Sequence, residues 1–200
     1  MTGESTFRVL FTVIFAGSVL IWGRNFLSVG LSRNALYTTT EGPLIAVPLR
    51  LLLGASLVGI IIYIINPRRM SWSTLPLPSW MRWLGLLVGL IALLLFYWVL
   101  RSLGRNFSTS LTIKEEQTLV TQGPYRWIRH PMYTAFILLW IAYFLLSASW
   151  FIGLTGILAY VWTTIVRTPK EERMMIARFG DEYVAYMGRT GRYLPRQLRR

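Results

Sequence analysis

The sequence predicts an all-α integral membrane protein with about five transmembrane helices, the last two paired in a tight helical hairpin. Three observations carry that prediction. Hydrophobic residues make up 54% of the 200-residue chain and charged residues only 14%, where a soluble domain carries about 25% charge. Mean hydropathy is +0.48. Apolar runs long enough to cross a ~30 Å hydrocarbon core, roughly 17–25 residues each, recur along the chain.

The first run, FRVLFTVIFAGSVLIWG (7–23), follows a start containing Glu4 and Arg8. It lacks the basic start and small-residue cleavage site of a secretory signal, so it reads as a retained span. The second, VPLRLLLGASLVGIIIYII (47–65), stops at Asn66-Pro67, a turn signal; Arg50 near its start is placed to snorkel to the interface. The third, WMRWLGLLVGLIALLLFYWVL (80–100), carries Trp80 and Trp83 at one end and Trp98 at the other, the placement of interfacial anchors. These three spans form a first region, residues 1–100.

The second region, 101–200, opens differently. RSLGRNFSTSLTIKEEQTLVTQGPYRWIRH (101–130) is polar, and Gly123-Pro124 punctuates it. An irregular segment of that length is usually functional or disordered, and its aromatics and its pairs Leu111/Ile113 and Leu119/Val120 argue for order. The apolar run 132–166 is too long for one span and breaks at Ser147-Ala148-Ser149. That predicts two helices of about 17 residues, each about 25 Å long. In the tail, Thr168-Pro169-Lys170-Glu171 reads as a capping box opening a new helix with proline at its first position. Met175, Phe179, Tyr183 and Met187 then recur every four residues, an apolar stripe suited to the membrane surface, with Gly180 weakening the helix midway.

Net charge is +13. On a soluble chain such basicity points to nucleic acid; on this one it points to loops against anionic lipid headgroups, and no nucleic-acid partner is expected. Five basic residues of the 101–130 loop and nine of the tail account for 14 of the 21. A hairpin returns the chain to the side it left, so loop and tail share a face, which the positive-inside rule makes cytoplasmic. Arg68 and Arg69 count against that assignment. With no cysteine and one histidine, disulfides are excluded, structural zinc has almost no ligands, and no metal is expected.

The hairpin has a chemical consequence. It brings Arg129, His130 and Tyr133, before and within the fourth span, next to Arg167, Glu171 and Glu172 at the end of the fifth. The start of the fourth helix, with Pro131 in its first turn, also offers unpaired N–H groups to an anion. Singly, each residue has an ordinary reading: an interfacial histidine, headgroup arginines, tyrosines of an aromatic belt (Tyr125, Tyr133), a capping glutamate. Together they form a mixed-charge cluster beside a long loop, and the functional reading gains.

QTLVTQGPYRWIRHPMY, then RTPKEE after the hairpin and FGDEYVAYMGRTGRYLP beyond it, resembles the isoprenylcysteine carboxyl methyltransferase family, which is related to the phospholipid N-methyltransferases. The resemblance covers roughly residues 100–196, and residues 1–99 carry none of it. It implies S-adenosylmethionine-dependent methyl transfer, with S-adenosylhomocysteine as product, in a pocket formed by the loop, the start of the fourth helix and the C-terminal tail. The chain has no glycine-rich strand–turn–helix fingerprint of a soluble cofactor domain, which agrees. Carried onto this sequence, the cofactor-binding residues are Thr112, Gln117, Thr118, Leu119, Val120, Tyr125, His130, Pro131, Met132, Tyr133 and Glu171, and the catalytic ones Arg167 and Glu172. A histidine and helix N–H groups suit the carboxylate of such a cofactor and a glutamate its ammonium.

A carboxylate acceptor is ionised at pH 7 and needs a cation, for which Arg167 is expected. An amine acceptor needs a base, for which Glu172 is expected. The cation favours the carboxylate of a prenylated cysteine, its lipid tail entering from the membrane. Phospholipid or other small-lipid N- or O-methylation is the alternative, followed by a membrane reductase and a non-enzymatic membrane protein.

Overall fold

A computed structural model describes residues 3–29, 43–106 and 118–196. Helix α1 runs Gly3–Val29, α2 Pro43–Ile65, α3 Ser79–Leu103, α4 Pro131–Ser147, α5 Trp150–Phe179 and α6 Asp181–Arg189. Four of them, over Gly3–Arg24, Val47–Ile65, Ser79–Leu103 and Trp150–Phe179, are long and apolar enough to cross a membrane, and α4 is a shorter apolar fifth. The chain is an integral, multi-pass membrane protein. Its helix ends follow local signals. Asn66 stops α2 and accepts from Arg68 N at 3.1 Å to open a 3₁₀ segment, Pro67–Ser73. Pro131 occupies the first turn of α4.

Helix α4 is central, packing on α1, α3 and α5, while α2 packs on α5. Small residues let the backbones approach, as membrane interfaces require. A Cβ on Gly85 would lie 2.7 Å from Leu145 Cβ on α4, and Gly89 faces Ala142 and Ile14. Between α4 and α5, Gly153 faces Phe144 and Gly156 faces Trp140. Phe11, Ile14, Ile60, Phe96, Leu139, Leu146 and Ile152 fill the core.

The hairpin turn lies at Ser147-Ala148-Ser149, with Ala148 left-handed at φ 51°. Ser149 caps α5 through Ile152 N. The 67–78 connection straps over the turn, with Ser73 Oγ 2.7 Å from Ser149 Oγ and Leu75 N donating to Ala148 O at 2.7 Å.

Two expectations about the tail are corrected. Helix α5 does not end near residue 166: it continues for 30 residues with Pro169 inside it, so no capping box opens a new helix at Thr168. Proline removes one helical hydrogen bond, a loss membrane helices tolerate when neighbours compensate. Beside it the Thr168 hydroxyl, fully buried, accepts from the Tyr193 hydroxyl at 3.0 Å. Gly180 is not a weak point inside one helix but the boundary between two, at φ +54° with its N–H donating to Ile176 O. The Met175–Met187 stripe is therefore split between α5 and α6.

A second polar cluster was not foreseen. Arg82, buried at the start of α3, donates to Glu4 Oε2 at 2.6 Å, to Tyr63 Oη at 3.2 Å and to Leu146 O at 2.7 Å. It ties α1, α2, α3 and the end of α4 together at the bundle end carrying the hairpin turn.

Candidate active site

At the other end of the bundle, α4 starts where α5 projects past it. The lead-in to α4 is held by local geometry. Gly123, at φ +58°, opens a 3₁₀ turn, Gly123–Arg126, and a Cβ there would lie 2.3 Å from Ser102 Oγ on α3. Trp127 packs edge-on against Trp98 with centroids 5.8 Å apart. Residues 127–130 then pair with the segment after α6. Gly191 N donates to Trp127 O at 3.0 Å, Arg129 N to Gly191 O at 2.8 Å and His130 N to Arg192 O at 3.0 Å. A Cβ on Gly191 would fall 1.7 Å from Leu194 O, so the tight bend of this strap excludes any side chain there.

On that frame the charged side chains converge. The His130 ring lies between two glutamates, Nε2 3.3 Å from Glu172 Oε1 and Nδ1 3.5 Å from Glu171 Oε2. Glu172, its side chain 6% exposed, receives Arg129 Nε at 3.1 Å and both Arg192 Nε at 3.2 Å and Nη2 at 2.5 Å. Arg129 also donates to the carbonyls of Met187, at 3.0 Å, and Thr190. Glu171, 25% exposed, accepts from the Tyr133 hydroxyl at 2.7 Å and has Arg167 Nε 3.5 Å away. The two acids thus differ: Glu172 is enclosed by two guanidiniums and an imidazole, and Glu171 is the more accessible carboxylate.

The surroundings are set by burial. Tyr125 is buried, and its carbonyl accepts from the Tyr186 hydroxyl at 2.6 Å. Burial pushes the Tyr186 phenol up to about 12, and burial likewise raises that of Tyr183. Both tyrosines stay neutral donors at pH 7. The hydrogen bond to Glu172 holds the Arg192 guanidinium above its ordinary value.

The structure therefore brings together Tyr133, His130, Arg167, Glu171 and Glu172, with Pro131 buried at the helix start and Met132 half-buried beside it. It places Thr118 against Asn106, whose side chain accepts from Thr118 N at 3.1 Å, with Leu119 and Val120 half-buried. Thr112 and Gln117 lie outside the described residues. Three participants were not singled out from sequence, Arg192 and Tyr193 on the strap and Thr134, which donates to Tyr193 O at 2.7 Å; Thr168, read there only as a helix cap, accepts from the Tyr193 hydroxyl. The glycines of GRTGRYLP are a turn signal and so mark the bend of the strap, but they do not assign its side chains to the site.

Comparison with known proteins bears on this arrangement. A profile of the isoprenylcysteine carboxyl methyltransferase (ICMT) family matches residues 83–177. The chain is 31% identical over 127 residues to the protein-S-isoprenylcysteine O-methyltransferase of Homo sapiens, covering 62% of this chain and 44% of that protein. It is 38% identical over 61 residues to the uncharacterized protein YpbQ of Bacillus subtilis, covering 30% of this chain and 35% of that one. The chain thus spans less than half the length of the curated relatives it matches. A solved structure of a eukaryotic intramembrane Ras methyltransferase, ICMT, superposes with a TM-score of 0.53 at 20% identity, covering 79% of this chain and 54% of that one, a likeness of fold. The profile match contains the whole hairpin, the RHP-x-Tyr motif and the acid pair, so it is the part of the chain carrying the site that is similar to the isoprenylcysteine carboxyl methyltransferase family.

Proposed function

We propose that this protein transfers the methyl group of S-adenosylmethionine to the carboxylate of an isoprenylated cysteine, forming a methyl ester. The observation that carries the reading is the seating of Glu171 between Tyr133, His130 and Arg167, at 2.7, 3.5 and 3.5 Å, at the base of the hairpin. The donor set fits the methyl donor. Glu171 is the accessible anion for an ammonium, whereas the start of α4 offers a carboxylate less than expected, since Pro131 has no N–H and Tyr133 N and Thr134 N already donate to His130 O. Leu119, Val120 and Met132 supply apolar wall, and Tyr125 and Pro131 form buried backing. When bound, S-adenosylmethionine supplies an electrophilic methyl group.

What the chain's own residues must do is orient and exclude water. A carboxylate acceptor forms one O–C bond as one S–C bond breaks, and no proton moves. Arg167, on the last apolar turns of α5 before Glu171, is the cation placed to hold that acceptor. Amine methylation would require a proton acceptor, and Glu172, ringed by Arg129, Arg192 and His130, is poorly suited to that task. The geometry thus favours the carboxylate over a phospholipid amine. A membrane setting suits a substrate whose lipid tail stays in the bilayer while its charged end meets the basic face, which we read as cytoplasmic.

The test is transfer of labelled methyl from S-adenosylmethionine to a farnesylated N-acetylcysteine by the detergent-solubilised protein. Alkali-labile label in the product, lost in Glu171→Ala, is expected. Label that survives alkali on phospholipid would replace this reading with N-methylation, and no transfer to any lipid acceptor by folded protein would refute it.

A further inference from the structure

We propose that Arg192 is a positioning residue of this site, fixing His130 from two directions at once. Its guanidinium grips both oxygens of Glu172, at 3.2 and 2.5 Å, and Glu172 Oε1 in turn faces His130 Nε2 at 3.3 Å. Its carbonyl accepts from His130 N at 3.0 Å. One residue therefore sets the backbone of His130 and, through one carboxylate, the rotation of its ring. A bidentate arginine–carboxylate pair has a fixed planar geometry that a lone ammonium does not reproduce.

The simpler role would be to dock the strap, and the structure argues against it. The strap is held independently of this side chain by Gly191 N to Trp127 O, Arg129 N to Gly191 O, Thr134 Oγ1 to Tyr193 O and the Tyr193 hydroxyl to Thr168 Oγ1. The Arg192 side chain is 46% exposed, and half-exposed ion pairs contribute little to stability. What the contact does supply is direction. Of the two guanidiniums on Glu172, Arg129 is committed also to two main-chain carbonyls, and Arg192 alone engages both carboxylate oxygens. The functional consequence rests on the methyltransferase reading: a turned His130 would disturb Glu171 on its other face, 3.5 Å from Nδ1.

His130 is the chain's single histidine, so ¹⁵N-histidine labelling of the full chain in detergent reports on one imidazole, whose Nε2 signal is readable without any ligand. Arg192→Ala is expected to displace that signal, Arg192→Lys to leave it between the variant and wild type, and Arg196→Ala, on the same strap but away from Glu172, to leave it unmoved. In parallel, binding of S-adenosylhomocysteine measured by calorimetry should weaken about ten- to a hundredfold in Arg192→Ala, the range of a charge-assisted hydrogen bond. An imidazole signal at the wild-type position in Arg192→Ala overturns the proposal, as does unchanged affinity where wild type binds. If Arg192→Ala does not fold, Arg192→Lys decides by the same signal. Wild-type protein that binds no S-adenosylhomocysteine, while the signal still moves, refutes the methyltransferase reading and leaves the positioning of His130 standing.

Discussion

Replacing Glu172 by glutamine tests whether the acid pair divides its work as the geometry requires. The substitution keeps shape and removes the charge on which Arg129, Arg192 and His130 converge. The glutamine amide must also point one N–H₂ group at donors. Removing one partner from a buried ion pair costs about 3–5 kcal/mol, because the remaining charge stays buried. Two features lower that figure here. Arg129, 10% exposed, keeps the carbonyls of Met187 and Thr190, and Arg192 can turn into solvent. A loss of about 2–3 kcal/mol is therefore expected.

Glu171→Gln is the comparison. Its carboxylate is more exposed and keeps Tyr133 as a donor, so the expected loss is below about 1 kcal/mol. Unfolding in mixed micelles, followed by tryptophan fluorescence, gives both values. Binding of S-adenosylhomocysteine should show the reverse order in direct damage, with Glu171→Gln weakened at full stability. A Glu172→Gln protein within about 0.5 kcal/mol of wild type, the range of an ordinary surface change, would refute the assignment of Glu172 as the buried keystone of the cluster.

Three further outcomes follow from the same contacts. Tyr133→Phe removes the 2.7 Å donor to Glu171; because a hydrogen bond to a charged group is worth about 1.5–3 kcal/mol, unfolding stability should fall by about that amount, and S-adenosylhomocysteine binding should weaken in calorimetry on the protein that remains folded. Gly156→Ala places a Cβ 2.0 Å from Trp140 Cε3; overpacking of about 1–3 kcal/mol should appear as a lowered unfolding midpoint. Arg82→Met strips Leu146 O and the Tyr63 hydroxyl of their shared donor and should cost about 2–3 kcal/mol, whereas Glu4→Gln, half exposed, should cost under about 1 kcal/mol in the same assay.

What could be read from sequence was what local chemistry decides. Asn66-Pro67, Ser147-Ala148-Ser149 and Pro131 end or begin helices by their own backbone limits, so the spans and the hairpin were legible. The hairpin in turn made legible the meeting of His130 and Tyr133 with Glu171 and Glu172, because antiparallel packing fixes which residues are level. The string Thr168-Pro169-Lys170-Glu171 was misleading because proline there marks a first helical turn, whereas α5 runs on through it and the Thr168 hydroxyl is engaged by Tyr193, 25 residues on. Arg192 was illegible for the same reason: its partner is set by a short parallel pairing between 128 and 191, which no periodicity announces. Arg82, inside the third apolar run, drew no reading from sequence, and only the fold reveals that Glu4 comes to meet it.

The site's dimensions make the apolar bundle part of its chemistry. Its contacts lie between 2.5 and 3.5 Å, and sliding one helix by a single residue moves it about 1.5 Å along its axis, enough to break all of them. Polar side chains at the cluster cannot prevent such a slip, because Arg167 and Arg192 are long and would follow it. The registers are set deeper, where a glycine on one helix receives a bulky group from the next: Gly85 under Leu145, Gly153 under Phe144, Gly156 under Trp140. Arg82 then holds the far end of α4 by Leu146 O. Helix α4 is thus fixed along its length and at its distal end, and His130 and Tyr133 at its start inherit that position. On this argument Gly156→Ala, packed against Trp140, should move the His130 imidazole signal from about three turns away, while a volume-conserving substitution on a lipid-facing position of α5, such as Leu158→Ile, should leave it unmoved.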